Sequence, residues 1–321
     1  MDFLTFDPIY QKRVWGGRNL DQKLGRKLPL DIPVGESWEI VDRPEAVSIV
    51  AEGSPFEGLT LRAVLESNDS AKVMGPSYSG ECPFPVLVKW LDCQERLSLQ
   101  VHPPAAVAEA LKGEPKSENW YIFDTKPGAG VLVGLKRGVT REAFEEALND
   151  QSVEQLLHRC ATQPGDSMFV PSGRIHGIDA GNLILEIQQN SDTTYRVYDW
   201  NRMGLDGKPR QLHVDASLKS IDFKDFEPSL LSPVSGTQLI VDCAAFRIRK
   251  FDLRVGGAPL TFAAREQPRL VHVVRGQIKH KRSSCLKRGQ NALLPYASKF
   301  CFRADRENAT VLVTDNFVLN P

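Results

Sequence analysis

A mainly β protein built as two related barrels, with a small helical insertion, is the reading that three observations support. Short runs of β-branched, aromatic and aliphatic residues recur along the chain, each bounded by Gly, Pro, Asn or Asp. Helical periodicity is scarce. The spacing Gly165-x5-Pro171 returns as Gly289-x5-Pro295, as a repeated β unit would leave it. Many short strands between turn residues fit antiparallel barrels or sandwiches in which helices are insertions.

Taken in order, strands are expected at Glu36–Val41, Phe84–Trp90, Leu97–Val101, Trp120–Asp124, Gly130–Val133, Ser167–Val170, Leu183–Gln188 and Thr194–Tyr198. Leu59–Glu66 reads as a short helix. A longer one runs from Thr140 as cap to Leu148, with Ala143, Phe144, Ala147 and Leu148 on one side. Ser152–Arg159 reads as a further helix carrying Val153, Leu156 and Leu157, so the insertion spans about 138–160. Phe226–Gly236 has two prolines and no periodicity, and marks a break between a first domain at 1–225 and a second at 238–321. Beyond it, strands are expected at Gln238–Val241, Phe246–Leu253, Leu270–Arg275, Ala292–Pro295 and Thr310–Thr314.

The 321 residues suffice for two domains, since domains run roughly 100–200 residues each. Forty Lys+Arg against forty Asp+Glu give no net charge, which argues against broad attraction to nucleic acid or membrane. The first residues lack the basic-then-apolar layout of a secretory signal, and no stretch approaches the ~18 apolar residues that span a bilayer. Six cysteines without a CxxC pair are expected as reduced thiols in the cytoplasm, not as zinc ligands. The expected assembly is a monomer or weak homodimer.

The run from Gly165 to His176 reads as an apolar strand closed by a Pro-x-Gly turn that delivers His176 at a fixed point. Gln100 and His102 stand two apart on an extended segment and so face the same way. Glu118 precedes another strand. Two imidazoles, a carboxylate and an amide oxygen suit a divalent ion, zinc above manganese, cobalt or iron. His158, His213, His272 and His280 lack such motifs and are expected as hydrogen-bonded core residues. Glu186 and Arg196 lie on successive strands, and pattern alone fits a rim salt bridge as well as an anion-binding arginine beside a metal. Lys89 and Lys116 would add positive charge there.

Gly-x5-Pro-x-Gly-x2-His resembles half of the cupin metal motif, with all fixed positions filled. Both barrels are then expected to be cupin-like jelly rolls, the second metal-free because no histidine follows Pro295. Further segments extend the resemblance: Trp15-Gly-Gly17, Gly35-Glu-Ser-Trp-Glu39, Phe84-Pro-Val-Leu-Val-Lys89, Leu97-Ser-Leu-Gln-Val-His-Pro103, Lys116-Ser-Glu-Asn-Trp-Tyr121 and Gln188 through Asp199. In this order they resemble type I mannose-6-phosphate isomerase (phosphomannose isomerase), particularly its short bacterial form, over most of residues 10–215.

That resemblance implies a metal-dependent aldose–ketose isomerase acting on a phosphorylated hexose through an enediol or enediolate. It places one zinc on Gln100, His102, Glu118 and His176, a catalytic arginine at Arg196, active-site lysines at Lys89 and Lys116, and a strand carboxylate at Glu186. Lys116 and Arg196 are expected to serve both chemistry and substrate binding. Glu186 is one choice of base, with a metal-bound water or a lysine as others. Pro104-Ala105 replaces the family's Asp-Asp, and Asn119 stands where cysteine is common. Competing readings are a metal cupin enzyme of another class and a non-catalytic sugar-binding or regulatory cupin. Gln100 argues against a His-rich dioxygenase shell, and the presence of Lys116 and Arg196 against a bare scaffold.

Overall fold

The computed structural model describes residues 1–30, 32–280 and 284–317. Antiparallel sheets joined by short helices dominate. The chain divides into two compact units, one made of Met1–Ile9, Trp38–Val88 and the residues from Pro233 onward, the other of Tyr10–Ser37 and Lys89–Ser232. This differs from two consecutive domains at 1–225 and 238–321. The passage after Ser232 lies inside the expected break, but two early segments group with the late residues. Backbone pairing explains why: Leu4 and Leu293 exchange hydrogen bonds of 2.9 and 2.8 Å, and Tyr296 N–H donates to the Val73 carbonyl at 2.8 Å.

Mostly in the unit that contains Lys89–Ser232, one sheet has the strand order Ile9–Gly17, Val34–Ile40, Val86–Cys93, Asn182–Gln189, Glu118–Thr125, Ser167–Val170. Another has the order Tyr195–Tyr198, Leu99–Val101, His176–Ile178, Gly130–Leu135, Leu157–Ala161. Trp15, Trp120, Ile122, Val131, Val133, Met168, Ile178 and Ile184 pack into one cluster drawn from both sheets. Trp120 is fully buried, and truncating such a side chain to alanine costs about 3–5 kcal/mol. A rigid wall therefore stands behind the polar residues of the same strands.

Register brings the chemistry together. Gln100 pairs with His176 on one side and with Arg196 on the other. Glu118 lies between Val170 and Gln188, and Trp120 pairs with Glu186.

Thr140 caps helix Arg141–Asn149 by accepting from Ala143 N–H at 3.2 Å, as the pattern predicts. The reading of Ser152–Arg159 as a helix is corrected. Val153–Leu156 is a single 3-10 turn, and Leu157–Ala161 is an edge strand paired with Gly130–Leu135. An eight-residue helical pattern is too short to hold by itself, and the open sheet edge offers its backbone partners instead. The strand expected from Phe84 starts at Val86, after Pro85, which has no N–H to donate. Strand Ile9–Gly17 and helix Val214–Ser220 were not expected from the pattern.

In the other unit, the larger sheet runs Thr237–Asp242, Arg247–Leu253, Ala309–Asp315, Arg269–Arg275, Asn291–Leu294. A smaller one runs Leu260–Phe262, Phe300–Ala304, Gln277–Lys279, Cys285–Lys287. The larger sheet repeats the chain-order pattern of the strands from Val34–Ile40 to Ser167–Val170. Its register matches as well: Leu294, just before Pro295, pairs with Arg269 as Val170, just before Pro171, pairs with Glu118. The position of Glu118 is thus taken by an arginine. Among the described residues no helix is long and apolar enough to cross a membrane.

Candidate active site and metal centre

The turn predicted to aim His176 is fixed by its own bonds. Gly173 adopts φ 93°, and a Cβ there would meet Pro104 Cγ at 3.2 Å, so glycine suits both the backbone and the space. Its N–H donates to the His102 carbonyl at 2.9 Å, which ties the turn to the second histidine. Arg174 clamps Asp225 through two bonds of 2.7 and 2.8 Å and donates to the Phe169 carbonyl.

One ligating atom each from His102, Glu118 and His176 lies within 4.8 Å of the others, and all three residues are buried. His102 Nε2 is 3.3 Å from Glu118 Oε2, and His176 Nε2 is 3.6 Å from Oε1. Each ring donates its Nδ1–H to a backbone carbonyl, His102 to Thr193 at 2.9 Å and His176 to Arg174 at 2.8 Å. That bond sets the tautomer and leaves the Nε2 lone pair aimed at the carboxylate. The Gln100 amide reaches His176 Nε2 at 3.3 Å, and turning the amide by 180° presents its oxygen at the same point.

Electrostatics agree. Burial, then the Lys116 ammonium, holds His102 down at about 3, and burial also lowers His176, so both rings are neutral. Burial pushes the Glu118 carboxyl up, but Lys116 and the two histidines pull it well below the usual range. Among the described residues neither His102 Nε2 nor Glu118 Oε1 has a hydrogen-bond partner. Buried lone pairs left this way are costly, whereas a divalent cation satisfies them all. The donor set fits such an ion.

A cavity of about 350 Å³ opens on the Gln100 side of this cluster, and Lys89, Lys116, Glu186 and Arg196 line it with Gln100. Lys116 Nζ lies 2.9 Å from Glu118 Oε2 and 4.0 Å from Glu186 Oε1, and Lys89 Nζ lies 3.9 Å from the same Glu186 oxygen. Burial, then repulsion from Glu118, raises Glu186 to about 7 against the pull of both lysines. Burial opposes the Lys116 charge, but Glu118 and Glu186 outweigh it and raise its pKa. The rim salt bridge between Glu186 and Arg196 does not form among the described residues. Glu186 accepts from Trp120 Nε1 at 3.2 Å, and Arg196 Nη1 donates to the Gln211 carbonyl at 2.8 Å.

Residues 3–133 match the family described as phosphomannose isomerase type I, catalytic domain. Mannose-6-phosphate isomerase ManA of Bacillus subtilis is 34% identical over 305 residues, covering 91% of this chain and 93% of that protein. The chain belongs to the mannose-6-phosphate isomerase family. A crystal structure of the mannose 6-phosphate isomerase from Bacillus subtilis superposes with a TM-score of 0.86 at 29% identity, covering 98% of this chain and all of that one. A mannose 6-phosphate isomerase bound with zinc and yttrium shares the fold at a TM-score of 0.74 and 16% identity, covering 99% of this chain.

In this family member the same cavity also holds Arg13, Trp15, Glu36, Asp192 and Arg210, to which sequence reasoning gave no role. Arg13 and Trp15 were findable, because residues two apart on a strand share a face. Arg13 Nε donates to Glu36 Oε1 at 2.8 Å, and Asp192 lies 3.6 Å from Lys89 Nζ. Arg210 sits outside any strand, so no periodicity marks it. Of the other histidines, His272 is fully buried and hydrogen-bonded at both ring nitrogens. His158, His213 and His280 are only half-buried.

Proposed function

We propose that this chain interconverts mannose 6-phosphate and fructose 6-phosphate, with one zinc held by Gln100, His102, Glu118 and His176. The observation that carries the proposal is a metal-competent His102/Glu118/His176 cluster adjoining Lys116 and a cavity that presents Lys89, Glu186 and Arg196. Neutral imidazoles, a carboxylate and an amide suit zinc, the ion named with yttrium for one solved relative of the same fold. Bound there, the ion would supply a Lewis acid for substrate oxygens.

Glu186 has the properties of the base that moves a proton between C1 and C2 of the open-chain sugar. Its pKa near 7 keeps a useful fraction ionised at neutral pH while leaving it basic enough to accept a proton. Lys116 and Arg196 place positive charge where the enediolate oxygens develop. Lys89, Lys116 and Arg196 also serve binding of the anionic substrate. As repeats of the fold, whose bounds differ from those of the two compact units, the catalytic domain is assigned to 1–225 and a metal-free domain to 238–321, both as cupin-like jelly-roll barrels; supporting this is the repeated strand order, with Arg269 at the register position of Glu118. We further assign the protein to the cytoplasm, as a monomer or weak homodimer.

An assay coupling fructose 6-phosphate formation to a dehydrogenase, run before and after exhaustive chelation, tests the reading. Activity that is lost on chelation and returns with zinc is expected. Full activity in metal-free protein would remove the metal, and no activity with mannose 6-phosphate would remove the reaction.

A further inference from the structure

Arg210 borders two cavities at once: the catalytic one and a neighbour of about 290 Å³. The segment that carries it is tied beside the Arg196 strand by three bonds. His213 N–H donates to the Arg196 carbonyl at 2.7 Å, Arg196 N–H to His213 Nδ1 at 3.3 Å, and Arg196 Nη1 to the Gln211 carbonyl at 2.8 Å.

What aims the Arg210 side chain is Asp199. This aspartate is buried, and it borders the second cavity but not the catalytic one. Arg210 Nη1 donates to both its oxygens at 3.2 and 3.1 Å, and Arg202 Nη2 donates to Oδ1 at 2.7 Å. Arg202 in turn donates to the Arg96 carbonyl, which fixes it from behind.

Charge is unbalanced here. Arg202 and Arg210 pair with the one Asp199 carboxylate, which Arg196 feels only through space, whereas Lys89 and Lys116 are faced by Glu118, Glu186 and Asp192. Burial, then repulsion from Arg196, brings Arg210 down to about 10, and burial lowers Arg196 as well. Among the described residues Arg196 Nε has no hydrogen-bond partner. Two guanidiniums at one wall with surplus positive charge suit a doubly charged anion, and their planar forks match phosphate geometry.

We propose that Arg210 anchors the phosphate group of the substrate together with Arg196, and that Asp199 is the positioning residue that presents Arg210 to the cavity. The inference rests on the phosphosugar isomerase reading above. Asp199 lies outside the catalytic cavity and reaches it through its two bonds to Arg210 and through its charge beside Arg196.

The test combines steady-state kinetics on mannose 6-phosphate, inhibition by inorganic phosphate, and calorimetric titration with inorganic phosphate, all on the full-length zinc-loaded chain. Arg210→Gln is expected to raise KM and weaken phosphate binding about 10- to 100-fold, the range for losing a charge-assisted bond, with kcat within about threefold. Arg210→Lys should recover part of the loss. Asp199→Asn should move KM and phosphate affinity the same way by about tenfold, and Asp199→Glu should restore part of it. Wild-type KM and phosphate affinity in Arg210→Gln would overturn the anchor. Loss of kcat alone in Asp199→Asn, or no rescue by Asp199→Glu, would overturn the positioning role. If Asp199→Asn fails to fold, Asp199→Glu and Arg210→Gln still decide. A wild-type chain that binds phosphate through Arg210 without isomerase activity would sink the reaction and leave the anion site standing.

Discussion

Two buried histidine sets in this molecule share a starting geometry and end differently. His102 and His176 in one unit, and His272 in the other, each donate Nδ1–H to an oxygen within 2.9 Å and leave Nε2 as the acceptor. At His272 that acceptor meets the Thr314 hydroxyl at 3.0 Å, and Asn291 passes the chain on to Glu39 at 3.1 Å. At His102 it faces the Glu118 carboxylate, which has no proton to give. A satisfied network stiffens a core, while a lone pair aimed at a carboxylate calls for a cation. The repeat shows the same contrast at one register position, where Glu118 in the first sheet corresponds to Arg269 in the second. Arg269 pairs with Glu266 at 2.6 Å and cannot bind a metal.

The largest expected effect comes from breaking the first set. His176→Ala should lower mannose 6-phosphate turnover by more than about 10²-fold and reduce bound zinc, measured by elemental analysis; near-normal turnover would dissociate the cluster from catalysis. Next comes the proton step. Glu186→Gln should slow deuterium exchange at substrate C2 by roughly 10²-fold or more, read by proton NMR, and unchanged exchange would move the base elsewhere.

Changes in the second set should touch stability alone. His272→Ala strands Asn291 and Thr314 and opens a small void, so a loss of about 2–4 kcal/mol is expected in urea unfolding, with kcat unchanged. A kcat loss in folded His272→Ala would erase the contrast between the sets. Spread over the widest range of conditions is the pH response. Burial depresses His272 to about 4 in the folded state, against about 6.5 unfolded. The unfolded chain therefore binds the proton first, and this contribution is complete above about 6.5 and is lost as pH falls toward 4, up to about 3 kcal/mol. His272→Asn should flatten that part of the stability profile; an unchanged slope between pH 6.5 and 4 would assign it to other groups.

Local chemistry was readable where turn residues punctuate it. Ser167–Val170 falls as the pattern predicts, and Pro171 with Gly173 fixes where His176 emerges. Gln100 and His102 follow from two-residue spacing on an extended segment. What local pattern does not record is pairing at long range. Nothing near Leu4 announces Leu293 as its partner, so the grouping of early and late segments was out of reach. The strand Leu157–Ala161 was misread for a related reason: an open sheet edge outweighed its helical spacing. Arg210 borders the cavity while bonded to Asp199, and that bond leaves no sequence period.

The claim at the centre is that unsatisfied lone pairs at His102 and Glu118, with His176 beside them, mark a divalent-metal site that the His272 set lacks. Metal content per chain, measured by mass spectrometry alongside mannose 6-phosphate turnover, addresses it directly. One zinc per wild-type chain is expected, lost together with activity in His102→Ala and His176→Ala and retained in His272→Ala. A fully active wild-type chain containing no divalent ion would contradict the account.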